Sequence, residues 1–306
     1  SDSRQRMLVS RQQRQACFDY LDKLHHQVAT PTSARMCPLD RVPIHLANIK
    51  VDLHAVATRA SVSCRQTPLN FNSLMIHQGK LVALVGQSTG GKGTLLRIIG
   101  GSHVPTSDVD PTRIFLMPSH ARVLHVGSEP MFVRRGLYHN LTLGVPPRHP
   151  DGKLERVKKI CRLVQLPADI VEGIHDEEES RSDDHFHEVA SLSTSQKRCL
   201  VVARTLIANP EILCIHDPTL NLNASHADVV MNLLRDLVKN RGIAVEGEPW
   251  HSRRPRTCIF TSTRALVVGY ASKVYMVDRK EGVFEVHRET HKEPCLAQLT
   301  RTLSQT

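Results

Sequence analysis

The sequence predicts an α/β protein whose core is a mainly parallel sheet with helices on both faces. Two observations carry this. Short apolar runs of strand length alternate with helical stripes along most of the chain, the order that places a parallel sheet between helical layers. The run at 80–86 also has the continuous apolar pattern of a buried strand, and it leads through a glycine-rich turn into a helical run.

The elements follow in order. Residues 1 to about 45 are polar, rich in Gln and Arg, and end among Pro31, Pro38 and Pro43, which reads as a helix and then a linker. From Ile49 onward β-like runs alternate with helices. Residues 93–99 read as a helix, and 113–117 and 122–126 as strands. At 153–166, Leu154, Val157, Ile160, Cys161 and Val164 form a helical stripe. The acidic stretch 177–187 reads as a solvated loop. A helix at 195–209, a strand at 211–216, an amphipathic helix at 224–239 and strands at 257–261 and 273–277 complete the pattern, with no internal repeat.

Composition narrows the function classes. The 306 residues are 40% hydrophobic, ordinary for a globular protein and too high for general disorder. No run approaches the roughly 18 apolar residues of a membrane-spanning helix, so this chain is expected not to cross a bilayer itself. The net charge of +10 suits nucleic acid, an anionic membrane or an acidic partner. Lys and Arg are scattered, however. The tightest groups are Lys158–Lys159 and Arg253, Arg254 and Arg256 around Pro255, so nucleic acid would be met only through a generally basic surface. Aromatic residues, at 4%, are too few for a base-stacking platform. None of the eight cysteines forms a CxxC pair, which leaves zinc and redox motifs unsupported and favours an intracellular, reducing compartment, cytosolic or organellar. Cys199, Cys214 and Cys258 lie in apolar runs and read as small buried hydrophobes. The start at Ser1 suggests a processed or partial product. His185 and His187 beside Asp183 and Asp184 lack a second ligand pair and read as solvated loop, so no metal site is assigned.

The most specific local feature is Gly86, Gln87, Ser88, Thr89, Gly90, Gly91, Lys92, Gly93 and Thr94, set after a strand and before a helix. It fits the phosphate-loop pattern G-x-x-x-x-G-K, except that Gly93 stands where Ser or Thr is expected. Glycines allow backbone N–H groups to turn inward around an anion, the helix N-terminus favours negative charge, and Lys92 adds a point charge for the phosphates. Without a hydroxyl, Gly93 cannot complete a magnesium shell; Thr94 comes one residue late.

With that loop placed, the chain over about residues 12–295 resembles the nucleotide-binding domain of an ATP-binding-cassette (ABC) exporter. Leu192, Ser193, Thr194, Ser195 and Gln196 stand where the family has LSGGQ, and they run into a helix with Ala203, Arg204 and Leu206 in place of A-R-A-L. Ile212 to Thr219, with His216, Asp217 and Pro218, resembles the Walker B strand, and Leu222 and Asn223 the D-loop. Ser128, Pro130 and Phe132, then Gly136 and Asn140, resemble the Q-loop region. Thr263 and Arg264 end a run similar to the switch strand. Arg14, Phe18, Tyr20 and Asp22 look like the exporter segment joining the membrane domain to its cassette. The resemblance implies a P-loop fold of the ABC type, with a small antiparallel β subdomain and a helical subdomain near 140–205. It divides the chain into a connector at 1–45, a cassette at 46–295 and a tail at 296–306.

Carried across position by position, it also implies decay. The magnesium-binding aspartate falls at His216, and an imidazole is a poor substitute for a carboxylate on a hard cation. The general-base glutamate falls at Asp217, short by a methylene, and errors of about 1 Å can cost ~10²-fold in rate. The Q-loop glutamine falls at Ser128, the switch histidine at Thr263, the D-loop aspartate at Asn223 and the signature glycines at Thr194 and Ser195. No Tyr, Phe or Trp lies at 56–60, where the adenine-stacking aromatic is expected. ATP is the implied cofactor, with its magnesium contacts missing. Three functions stay open: a non-catalytic cassette partnering an active one and a membrane domain, a structural subunit of a large, organellar assembly, and a divergent active ATPase.

Overall fold

Parallel strands buried on both faces organise the molecule, and the apolar runs supply them. The computed structural model describes residues 42–51, 69–103, 113–175 and 189–286, together with Gln15, Asp19 and Asp40. The connector-like segment lies outside these residues except for Gln15 and Asp19, which are helical and joined by a 2.9 Å hydrogen bond. The loop at 177–187, the 56–60 stretch and the tail also lie outside them.

Nine strands form two sheets among the described residues. The smaller is antiparallel, with β1 (Ile44–Val51) between β2 (Leu69–Ile76) and β4 (Ile114–Leu116). The larger contains β3 (Leu81–Val85), β5 (Val123–Val126), β6 (Ile212–His216), β7 (Thr257–Thr261), β8 (Lys273–Asp278) and β9 (Gly282–Val286), in the order β5-β6-β7-β3-β8-β9. Its first five strands are parallel; β9 closes the edge as an antiparallel hairpin with β8. The sequence pattern ended the strands at 277 and gave 44–45 to the linker; the structure adds β9 and starts β1 at Ile44.

Successive side chains of a strand point to opposite faces, and the core divides accordingly. Leu81, Ala83 and Val85 join Leu213, Ile215 and Phe260 beneath α2 (Leu137–Thr142), α3 (Leu154–Leu163), α5 (Thr194–Ala208) and α6 (Ala224–Lys239). Val82, Leu84, Ile212, Cys214 and Ile259 face the other way, onto α1 (Lys92–Ile99) and the antiparallel sheet. Two short helices, α4 (Ala168–Glu172) and α7 (Ala265–Val268), and two 3₁₀ turns lie between these elements. Cys199, Cys214 and Cys258 are buried thiols, as their apolar runs suggested, and Cys161 is buried as well.

Polar side chains brace the ends of the elements. The buried Arg156 donates to the carbonyls of Asp151, Leu206, Ile207, Ile243 and Ala244, so one guanidinium satisfies acceptors that the end of α5 leaves open. The densest basic group is also internal bracing. Arg253 bonds the carbonyls of Val245 and Glu248, and Arg256 meets Asn209 and Glu211. Asn140, at 2% exposure, bonds the backbone of Val133, Arg135 and Gly136, so its side-chain amide is fully committed. Replacing Arg156 by methionine is expected to cost about 3 kcal/mol, because several carbonyls lose their donor and the buried Asp151 loses its cation. A urea midpoint lowered at unchanged m would show it; an unmoved midpoint would mean that water replaces the guanidinium.

Candidate functional site

The register of the large sheet brings the separate motifs to one edge. Pairing of Leu84 with Thr261, of His216 with Thr261 and of Val126 with Ile215 aligns the C-terminal ends of β3, β7, β6 and β5. This is the end at which parallel α/β sheets collect their sites. Residues 86–94, His216, Asp217 and Thr263 all lie there.

The loop has the backbone that its glycines permit. Gly91 caps α1 at φ 98°, and Gly86 sits at φ 139°, both in the region that L side chains rarely adopt. A Cβ at Gly86 would stand 2.3 Å from the Val277 carbonyl oxygen, and one at Gly90 would stand 2.8 Å from it, so β8 presses directly on the loop. Arg279 donates to the Thr89 carbonyl at 2.8 Å and pins the outer side. Gln87, Ser88 and Thr89 are exposed at the tip. Lys92 is buried, and its Nζ donates to the carbonyls of Gly86 and Gln87 at 2.6 Å each, leaving its remaining N–H for an anion. Burial lowers its pKa.

Beside the loop, α1 and β6 meet at Gly93 and His216. A Cβ on Gly93 would lie 3.7 Å from His216 Nε2, an ordinary contact, so the imidazole fills the space in front of the residue that lacks the hydroxyl. His216 Nδ1 is buried with no hydrogen-bond partner. Burial is the main cause of its lowered pKa; Asp217 opposes the shift, while Arg198, Lys92 and Arg97 add to it.

Asp217 is 6% exposed and takes a left-handed backbone, φ 37°. Its N–H donates to Thr261 Oγ1 at 3.1 Å; its carboxylate accepts from Thr219 at 3.2 Å and loosely from Thr263 at 3.4 Å. Asp217 and Thr263, from two different strand ends, therefore bond each other. Ser128 is exposed and comes to the edge through its carbonyl.

That carbonyl is held by Arg198, whose role the sequence pattern did not reveal. At 1% exposure it donates to the carbonyls of His216 and Asp217, and more loosely to those of Gly127 and Ser128. A charge inside the apolar run of α5 was the available signal.

The signature-like turn lies apart. Ser193 caps α5 by accepting from the Gln196 N–H, and Gln196 Oε1 accepts from the Ser193 N–H, a capping box. Thr194 and Ser195 form the first turn, with Ser195 Oγ 3.1 Å from Ser193 Oγ, and Leu192 is half-buried just before it. Asn223 caps α6 by accepting from the His226 N–H at 2.8 Å.

Two glycines of the loop should respond oppositely to alanine. Gly86→Ala meets both a carbonyl and a forbidden φ and is expected to destabilise by about 2 kcal/mol. Gly93→Ala lies inside α1 with room for a methyl group and should stabilise by about 0.5–1 kcal/mol. Paired thermal melts decide; a destabilising Gly93→Ala would show that the imidazole sits tighter against α1 than this geometry allows.

Comparison with known proteins agrees with this arrangement. The ABC transporter family pattern matches residues 69–220. The chain is 31% identical over 206 residues to a phosphonates import ATP-binding protein (PhnC 2) of Cupriavidus necator, covering 63% of this chain and 72% of that one. It is 27% identical over 229 residues to a xylose/arabinose import ATP-binding protein (XylG) of Sulfolobus acidocaldarius, covering 71% and 81%. Among solved structures, the dimeric bacterial ABC transporter cassette MJ0796 has the same fold, with a TM-score of 0.55 at 16% identity over 79% of this chain and 98% of that one. The post-hydrolysis dimer of that cassette, bound to ADP and Pi, gives 0.54 at 16% identity over the same shares. This chain belongs to the ABC transporter family as an ATP-binding domain.

Proposed function

We propose that this cassette holds the phosphates of a nucleotide on residues 86–94 without hydrolysing it, and that it serves as the non-catalytic half of an exporter cassette pair. The observation that carries the reading is the joint state of the sheet edge: Gly93 faces an imidazole, and the carboxylate of Asp217 is bonded to Thr219 and Thr263.

Phosphate binding rests on backbone N–H groups, the start of α1 and the Lys92 ammonium, which the carbonyls of Gly86 and Gln87 hold in place. Magnesium does not fit this donor set. A hard cation wants oxygen ligands, whereas Gly93 offers none, His216 offers nitrogen, and Asp217 is buried under two hydroxyls. Asp217 is also poorly placed to take a proton from water, because both of its carboxylate oxygens already accept from threonine hydroxyls.

Pairing is supported by the family, in which a solved neighbour is a dimeric cassette. The exporter assignment rests on the connector-like residues Arg14, Phe18, Tyr20 and Asp22. The relatives compared above are importer subunits by name, so a membrane domain of either kind is to be looked for. A second reading, a structural subunit of a large assembly, is favoured by one observation: Thr194 and Ser195 replace the signature glycines, so the surface offered to a partner has changed along with the chain's own site.

Calorimetric titration with ATP, alongside a phosphate-release assay, tests the proposal. Binding with no release above the buffer rate is expected, together with at least about tenfold weaker binding, roughly 1.4 kcal/mol, for Lys92→Ala. Steady release that Asp217→Ala abolishes would overturn it. Mass spectrometry of the native particle then separates the two roles: a motif-intact cassette with a membrane domain establishes the pair, and a large assembly lacking both establishes the structural subunit.

A further inference from the structure

We propose that the His216 imidazole occupies the place of the divalent cation, so that the site takes the metal-free triphosphate of a nucleotide in preference to its magnesium complex. This rests on the nucleotide-binding reading above and specifies which chemical form of the ligand is bound.

The first argument is position. His216 ends β6, and its ring edge faces the second residue of α1, with Nε2 and Cδ2 3.7 and 3.8 Å from where a Gly93 Cβ would be. The start of α1 is where the loop presents its amides, so the ring borders the space in which a phosphate would lie. Gly93 and His216 are thus complementary. Removing one side chain from α1 and adding a larger one on β6 keeps the volume filled while exchanging oxygen donors for a nitrogen.

The second argument is the direction of the ring. Nδ1 is buried and meets no acceptor or donor, so the one N–H of a neutral imidazole is best used at Nε2, the nitrogen on the Gly93 side. A donor there suits a phosphate oxygen and offers a cation nothing unless that nitrogen gives up its proton.

The third argument is charge. The charged groups that act on His216 are Lys92, Arg97 and Arg198 against the single carboxylate of Asp217. Arg198 is consumed by carbonyls but still contributes its field. Such a surplus repels a divalent cation and attracts the more highly charged free triphosphate. His125 on the neighbouring β5 also couples to His216 and Arg97, and burial lowers its pKa as well, so no negative charge enters from that side.

The experiment is calorimetric titration of the full chain with ATP in EDTA and again in excess MgCl₂. Wild-type binding is expected to be about tenfold tighter in EDTA, about 1.4 kcal/mol. His216→Ala should lose that preference, and the double variant Gly93→Ser, His216→Asp should reverse it, binding better with magnesium. Thermal melts confirm that each variant is folded; should one fail, the wild-type comparison decides alone. Tighter wild-type binding with magnesium would overturn the inference and leave the nucleotide reading intact. Absence of binding under both conditions, with Lys92→Ala behaving like wild type, would overturn the nucleotide reading as well.

Discussion

Much of the site edge depends on one buried cation. Arg198 projects from α5 into the layer where β5 and β6 end, and its guanidinium holds the carbonyls of His216 and Asp217 together with those of Gly127 and Ser128. These acceptors lie at strand ends, where the ladder has stopped and backbone groups need new partners. A buried charge without such acceptors would cost several kcal/mol, so the arrangement is all or none. It couples the helix carrying the signature-like turn to the backbone at the end of β6. The left-handed turn at Asp217 is also set by this grip, with the Thr261 hydroxyl holding its N–H. The chemistry can therefore change while the edge stays in place, because what positions it is main chain.

The side chains at that edge fit one another. The imidazole of His216 faces Gly93, and the hydroxyl of Thr263 meets the carboxylate of Asp217. Asn223 caps α6 through its side-chain oxygen. Among the described residues of this edge the orphans are His216 Nδ1 and Arg198 Nε. Under the proposed function such mutual fitting is what continued selection for a folded, phosphate-holding cassette would produce.

The sequence made some of this plain and hid the rest for physical reasons. The strands β3, β6 and β7 were legible because both their faces are buried, which leaves short continuous apolar runs. The phosphate loop was legible because Gly86 and Gly91 adopt φ values open to few other residues. Arg198, Arg156 and Arg279 were not, since each acts on carbonyl oxygens, which every residue has and which therefore leave no mark in a sequence. The edge strand β9 escaped for a different reason. Phe284 points outward at 41% exposure beside the buried Val283, so its short alternation is weak and only pairing with β8 defines it.

The start of α5 ties a helix cap to the site edge. Here Ser193 and Gln196 close a capping box and Ser195 lies within hydrogen-bonding distance of Ser193, so the turn satisfies part of its own donor set. Capping of this kind is worth about 1 kcal/mol to the helix. Thr194 and Ser195 fill the first turn with side chains. Because α5 also carries Arg198, firmer anchoring of its first turn steadies the guanidinium that holds β5 and β6. The turn that resembles the family's signature thus also serves as scaffold, because its cap steadies the helix that braces the edge of the chain's own phosphate loop.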